Sequence, residues 1–117
     1  MKIKKLLQKF ITNWIENKKI ITKVYKQLRK QSNGGFIAKH NWTCCTTCGW
    51  AEIPDGPNIV FYHMQDTDSA KIYNNIYLSW CGNAEKIISE FQKHNVQVEW
   101  NGLETNKIKI NFNLIEN

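Results

Sequence analysis

Long apolar runs are missing from this sequence. No run exceeds five residues, whereas spanning a bilayer takes roughly 20, so a membrane-spanning helix is excluded. The stretch MKIKKLLQKFITNWIENKK interleaves lysines with its apolar residues. It has neither the unbroken apolar core nor the small-residue cleavage site of a secretory signal. The expected location is therefore cytoplasmic. In a reducing cytosol the four cysteines stay free, bind metal or act in transient redox steps. There is no second C-x-x-C and no His-x-x-x-His, which removes the standard zinc-finger patterns. No nucleophile elbow and no glycine-rich oxyanion loop are present, which speaks against acyl-transfer chemistry. Neither an internal repeat nor a low-complexity tract occurs.

What is there is enough for one domain, residues 1–117, of a size that buries a core without covalent staples. Five tryptophans argue against disorder. The net charge of +6 is unevenly placed. Residues 1–30 carry ten Lys/Arg and a single acid, Glu16, whereas residues 31–117 carry six Lys and nine Asp/Glu. A strongly basic segment thus joins a mildly acidic body, and such local fields steer the choice of partner.

Ile3, Leu7, Phe10, Trp14, Ile21, Val24 and Leu28 recur at spacings of three and four, with Asn17 in the gap and lysines on the other faces. This predicts a basic amphipathic helical segment over 1–31, as one helix or as two broken near Asn17. SNGG at 32–35 suits its end. The body, 36–117, opens on the cysteine segment, in which CTTCGWAEI fits a short helix or a knuckle-like loop. PDGP then reads as a turn. NIVFYHM (58–64) and IYNNIYLSW (72–80) read as paired antiparallel strands around a polar loop, QDTDSAK. GNAEKIISEFQKHN (82–95) reads as a helix capped by Asn83 and burying Ile87, Ile88 and Phe91. VQVEW and KIKINF alternate as a second hairpin. The expected fold is α+β: the basic helix or helix pair plus a four-stranded, mostly antiparallel sheet in ββαββ order, with helices on one face.

Cys44, Cys45 and Cys48 admit three readings. As zinc ligands, Cys45 and Cys48 form a C-x-x-C whose spacer lets both thiolates reach one ion, with His63 as a third candidate and Cys81, His40 or His94 as others. As a redox pair, Cys45 and Cys48 need a helix N-terminus to lower a thiol pKa. As core residues, they pack as small hydrophobes between Trp42 and Trp50, the reading favoured for Cys44 and Cys81. His63 with Asp66 and Asp68 invites acid–base chemistry or a Cys–His–Asp set. Capping of backbone N–H groups by this segment is the favoured reading.

CCTTCGWAEI, VFYHMQDTDSA, IYLSWCG, VQVEWNG and KIKI, in that order, together resemble a bacterial domain family of unknown function. Its members show CC-x-TCG, FYH-x-QDT, a glycine at a strand end, and a closing V-x-W-x-G hairpin. The likeness covers about residues 41–112. It falls on Cys44, Cys45, Cys48 and Gly49, on Phe61 to His63, on Gln65 to Thr67, and on Gly82, Trp100 and Gly102. It implies a shared fold, and it implies that the thiols and the His63–Asp66 segment meet in space. It implies no activity. In style, a short Lys-, Ile- and Asn-rich chain is also similar to the immunity proteins of contact-dependent growth inhibition systems. The leading expectation is accordingly a non-enzymatic protein that binds and neutralises a cognate protein toxin. The contacts would be carboxylates of the acidic body, Asp55, Asp66, Asp68 and Glu104. No cofactor is needed for that role. The alternative is a small metal- or thiol-dependent protein centred on the cysteine cluster with His63, with zinc as the ion. Nucleic-acid binding by the lysine-rich helix is a third option without support from exposed aromatics.

Overall fold

The computed structural model describes residues 2–30 and 35–112, with side chains from residue 13 onward. The expectations resting on Ile3, Leu7, Phe10 and residues 32–34 lie outside the described side chains or residues. Helix α1 (Lys2–Arg29) is one continuous helix of 28 residues, so the break near Asn17 does not occur. Among its described side chains the stripe runs as its spacing predicts: Asn17, Ile21, Val24 and Leu28 are buried, and Tyr25 joins them. Lys26 and Arg29 occupy the last turn, where cations oppose the partial negative charge of the helix end. Arg29 also donates to the Ala38 carbonyl.

The sheet has five strands rather than four. They are β1 (Ile37–Lys39), β2 (Ile59–Phe61), β3 (Asn75–Cys81), β4 (Gln97–Glu99) and β5 (Ile108–Asn111), in the spatial order β1-β2-β3-β5-β4. β1 runs parallel to β2 with Ala38 opposite Val60; the other pairings are antiparallel. A parallel pair of consecutive strands needs a crossover, and the chain between them supplies a short helix, α2 (Thr46–Glu52). Three residues of β1 inside a segment full of turn and cysteine signals left no alternating pattern to read. A second correction falls on QDTDSAK. It is helix α3 (Met64–Tyr73), and it trims the two flanking strands at their facing ends. Helix α4 (Ala84–Gln92) is capped as expected, Asn83 accepting from the Lys86 N–H.

Alternation sorts the strands into two faces. Ala38, Val60, Ile76, Leu78, Trp80, Ile108 and Ile110 form one, and they share a core with Ile21, Val24, Tyr25 and Leu28 of α1, Ala70 of α3, and Ile87 and Phe91 of α4. Each of the buried Val, Leu, Ile and Phe side chains among them contributes about 1.5–3 kcal/mol of burial. Ile59, Phe61, Tyr77 and Ser79 point the other way. There α2 lies on Phe61: the Trp50 ring meets it edge-on at 5.1 Å. A Cβ on Gly49 would come within 2.6 Å of the Phe61 ring, so the close approach requires glycine. This crossover helix carries the cysteine segment onto the sheet.

His40 is clasped between Tyr62, whose hydroxyl lies 2.7 Å from Nδ1, and the Tyr25 ring, 4.6 Å away between centroids. Burial, reinforced by Arg29 and Lys18, lowers its pKa from 6.5 to about 4. The unfolded chain therefore takes up the proton first on acidification. Stability that is full at neutral pH is expected to fall as pH drops from 6.5 towards 4, by about 2 kcal/mol after allowance for solvent screening. Urea unfolding at pH 7 and pH 4.5 measures the loss, and His40→Gln should reduce the difference between the two by that amount, leaving the part that the similarly depressed His63 and Glu90 contribute.

Candidate functional site

The segment 40–45 is laced to the end of β2. Trp42 N–H donates to the Tyr62 carbonyl at 2.8 Å, and Met64 N–H donates to the Thr43 carbonyl at 3.0 Å. The Trp42 indole N–H reaches across to the Gly49 carbonyl of α2 at 3.1 Å. Asn41 and Thr43 have φ of 50° and 58°. For a β-branched residue such as Thr43 this left-handed conformation is unfavourable, of order 1–3 kcal/mol, and it persists where the surroundings impose it, often at functional sites. Its consequence is to turn the chain so that Cys44 precedes the cap residue Cys45 on the same side as Cys48.

The three sulfurs thereby converge. The Sγ atoms of Cys44, Cys45 and Cys48 all lie within 4.8 Å of one another, and Cys44 and Cys48 are 3.6 Å apart. This group can hold a metal ion. Cys44 and Cys48 are exposed and Cys45 is half-buried, which corrects the expectation that Cys44 packs in the core. Cys81, half-buried at the end of β3, is not in the group. The Cys45 thiol is drawn below its ordinary range, first by the backbone N–H of Cys48 and next by the Cys48 thiol. The proton held between the sulfurs pushes Cys48 up to about 11. Of Cys45 and Cys48, Cys45 thus gives up its proton the more readily, and a cation bound by the sulfurs would displace the protons they hold.

His63 was expected as a third ligand beside Cys45 and Cys48. The structure employs it otherwise. It is the N-cap of α3: its Nδ1 accepts from the Asp66 N–H at 3.3 Å, and Asp66 Oδ2 accepts from the His63 N–H at 3.1 Å. This is a capping box with histidine in the cap position. With Nδ1 accepting, the neutral ring carries its proton on Nε2, which lies 3.2 Å from Asp66 Oδ2 and 2.9 Å from Thr46 Oγ1. Burial holds the His63 pKa below its ordinary value, Asp66 opposing and Lys107 assisting. Carboxylate and hydroxyl share one ring nitrogen, whereas in a hydrolytic triad they take opposite ones. Thr67 completes the motif by donating to Asn41 Oδ1 at 2.8 Å. FYH-x-QDT is thus a strand end followed by a helix cap that ties α3 to the cysteine segment, and its link to α2 runs through Thr46.

Of the carboxylates named as partner contacts, Asp55, Asp68 and Glu104 are exposed. Asp66 is buried and committed to His63, so it is not a surface contact. Sequence reasoning missed Thr46 and Lys107. Lys107 Nζ donates to Thr46 Oγ1 at 2.8 Å across a separation of 61 residues, a distance at which no local pattern signals contact. No helix among the described residues is long and apolar enough to cross a membrane.

No curated protein and no solved structure matches the chain. One family does: residues 13–114 match the domain of unknown function DUF6891. That span takes in the cysteine cluster, the His63 cap and all five strands, and the chain belongs to this family.

Proposed function

We propose that this protein is a metal-binding protein, its site the thiolates of Cys44, Cys45 and Cys48 and its ion a thiophilic d¹⁰ cation, zinc foremost. One observation carries the reading, the mutual approach of three sulfurs. Thiolates about 2.3 Å from a tetrahedral zinc stand about 3.8 Å from each other. The 3.6 Å between Cys44 and Cys48 is close to that value. His63 stays outside the coordination sphere and acts through the α3 cap and Thr46. Three protein ligands leave the fourth position for water or for a ligand brought by another molecule, the pattern of zinc sites that do more than hold a fold.

The test is metal content and thiol protection. Protein prepared under reducing conditions is expected to retain about one zinc per chain against a chelator of micromolar affinity. Three of its thiols should be shielded from a thiol reagent until the zinc is stripped. Cys44→Ser, Cys45→Ser and Cys48→Ser should each abolish retention, and His63→Asn should preserve it. Four thiols reacting alike with and without zinc would reject the site.

A second reading, toxin neutralisation by the acidic body, draws support from Asp55, Asp68 and Glu104. They are exposed, and none has an ion-pair partner among the described residues. A basic protein toxin would meet them. Co-purification with such a toxin, weakened by the Asp55→Asn/Asp68→Asn/Glu104→Gln triple variant, is the corresponding test.

A further inference from the structure

A cavity of about 320 Å³ lies where β5 stops short of β3. β5 pairs with β3 only up to Ile108 opposite Leu78, so beyond Leu78 the 104–107 loop replaces a strand. The cavity is bounded by Thr46 and Trp50 of α2, Ser79 and Trp80 of β3, and Glu104 and Lys107 of that loop. None of the three clustered cysteines lines it, so it is separate from the metal reading.

Its polar groups are arranged for an absent partner. Ser79 is only 3% exposed, and its hydroxyl has no hydrogen-bond partner among the described residues. A buried hydroxyl left so is unfavourable and calls for a ligand or water. It stands on the Phe61 side of the sheet, the side α2 covers. Thr46 Oγ1 receives two donors, His63 Nε2–H and Lys107 Nζ, so its own O–H remains to be given. Lys107 has no carboxylate within ion-pairing distance among the described residues; its only described hydrogen bond is to Thr46. One ammonium and two hydroxyls therefore line the same cavity, and the ammonium has no ion-pair partner among the described residues.

We propose that this cavity binds a small zwitterion of the free amino acid class. Its carboxylate would be held by Lys107, Thr46 and Ser79, and its ammonium would face Glu104. The single cation balances one carboxylate but not a phosphate dianion, which the Glu104 carboxylate at the rim would further disfavour. The indole of Trp50 supplies a flat wall for the ligand's carbon skeleton and a favourable surface for its cationic end. The volume stands at the low end of small-molecule sites, which suits a metabolite of this size.

The experiment is calorimetric and NMR titration of the full chain with each free L-amino acid, with the matching decarboxylated amines, and with inorganic phosphate. At least one amino acid is expected to bind at submillimolar concentration, with indole N–H resonances shifting. Its decarboxylated amine should bind at least tenfold more weakly. Ser79→Ala and Lys107→Met should each weaken binding about tenfold or more. Ser79→Ala removes only an unpartnered hydroxyl and leaves the fold intact, so its result bears on the ligand alone. The proposal is overturned if no amino acid binds at 10-millimolar order, if both variants bind like the parent, or if phosphate binds more tightly than every amino acid.

Discussion

Replacing His63 by alanine is expected to lower the stability of the protein by about 3 kcal/mol. Two losses combine. The α3 helix loses its cap acceptor, worth about 1 kcal/mol. The second loss is the buried ring nitrogen itself, which bonds Thr46 Oγ1 at 2.9 Å and lies 3.2 Å from the Asp66 carboxylate; leaving such buried polar groups unsatisfied costs about 2 kcal/mol. His63→Asn keeps a short side-chain acceptor in the cap position and should recover about 1 kcal/mol of the loss. Guanidinium unfolding with the slope held constant measures both variants. The same pair decides the role of the residue. An alanine variant as stable as the parent but unable to retain zinc would make His63 a ligand after all, and the capping account would fail.

Gly82→Ala is expected to cost a similar amount, about 3 kcal/mol. Gly82 has φ of 95°, which a residue with a Cβ adopts only under strain. That Cβ would also collide with the Pro57 carbonyl oxygen and with Asn58 Oδ1. Asn58 Oδ1 accepts the Asn83 N–H at 3.0 Å, so the clash is transmitted to the cap of α4 and to the start of β2. Gly102 separates the two contributions. Its φ is 85°, yet nothing lies within 4 Å of the position a Cβ would take. Gly102→Ala should therefore show the conformational part alone, about 1 kcal/mol. Thermal melts of the two variants, compared at the parent's midpoint, test the difference. Equal losses would mean that the contacts around Gly82 yield easily and that steric crowding adds nothing there.

Both residues fall within the motifs that carried the likeness to a family of unknown function, and in both the motif letter has a structural reason. Histidine in FYH-x-QDT is a cap. The glycine at the end of β3 admits the chain past Asn58. The cysteines are different, because neither capping nor packing explains three sulfurs gathered at an exposed turn. That contrast is why the metal reading rests on the thiols and leaves the neighbouring histidine out.

The parts of the fold governed by local periodicity could be read along the chain. The stripe of α1, the Asn83 cap, the buried Ile87 and Phe91, and the alternation of Ile108 and Ile110 all follow from neighbours within a few residues. Patterns of period 3.6 and period 2 are properties of a stretch, whatever surrounds it. The polar letters of QDTDSAK misled for a related reason. Helix α3 buries only Asp66, Thr67 and Ala70, so no apolar stripe announces it, and its start is marked by a histidine cap that composition does not advertise. β1 was hidden because three residues are too few to alternate visibly, and its partner β2 lies across a crossover. The site depended on distance in sequence. Two left-handed residues set the direction of Cys44, and β5 brings Lys107 to Thr46 from the far end of the chain. Stopping one strand short exposes Ser79 to a cavity. Contacts of that kind depend on strand register and helix placement, which side chains far apart settle jointly once the chain has packed.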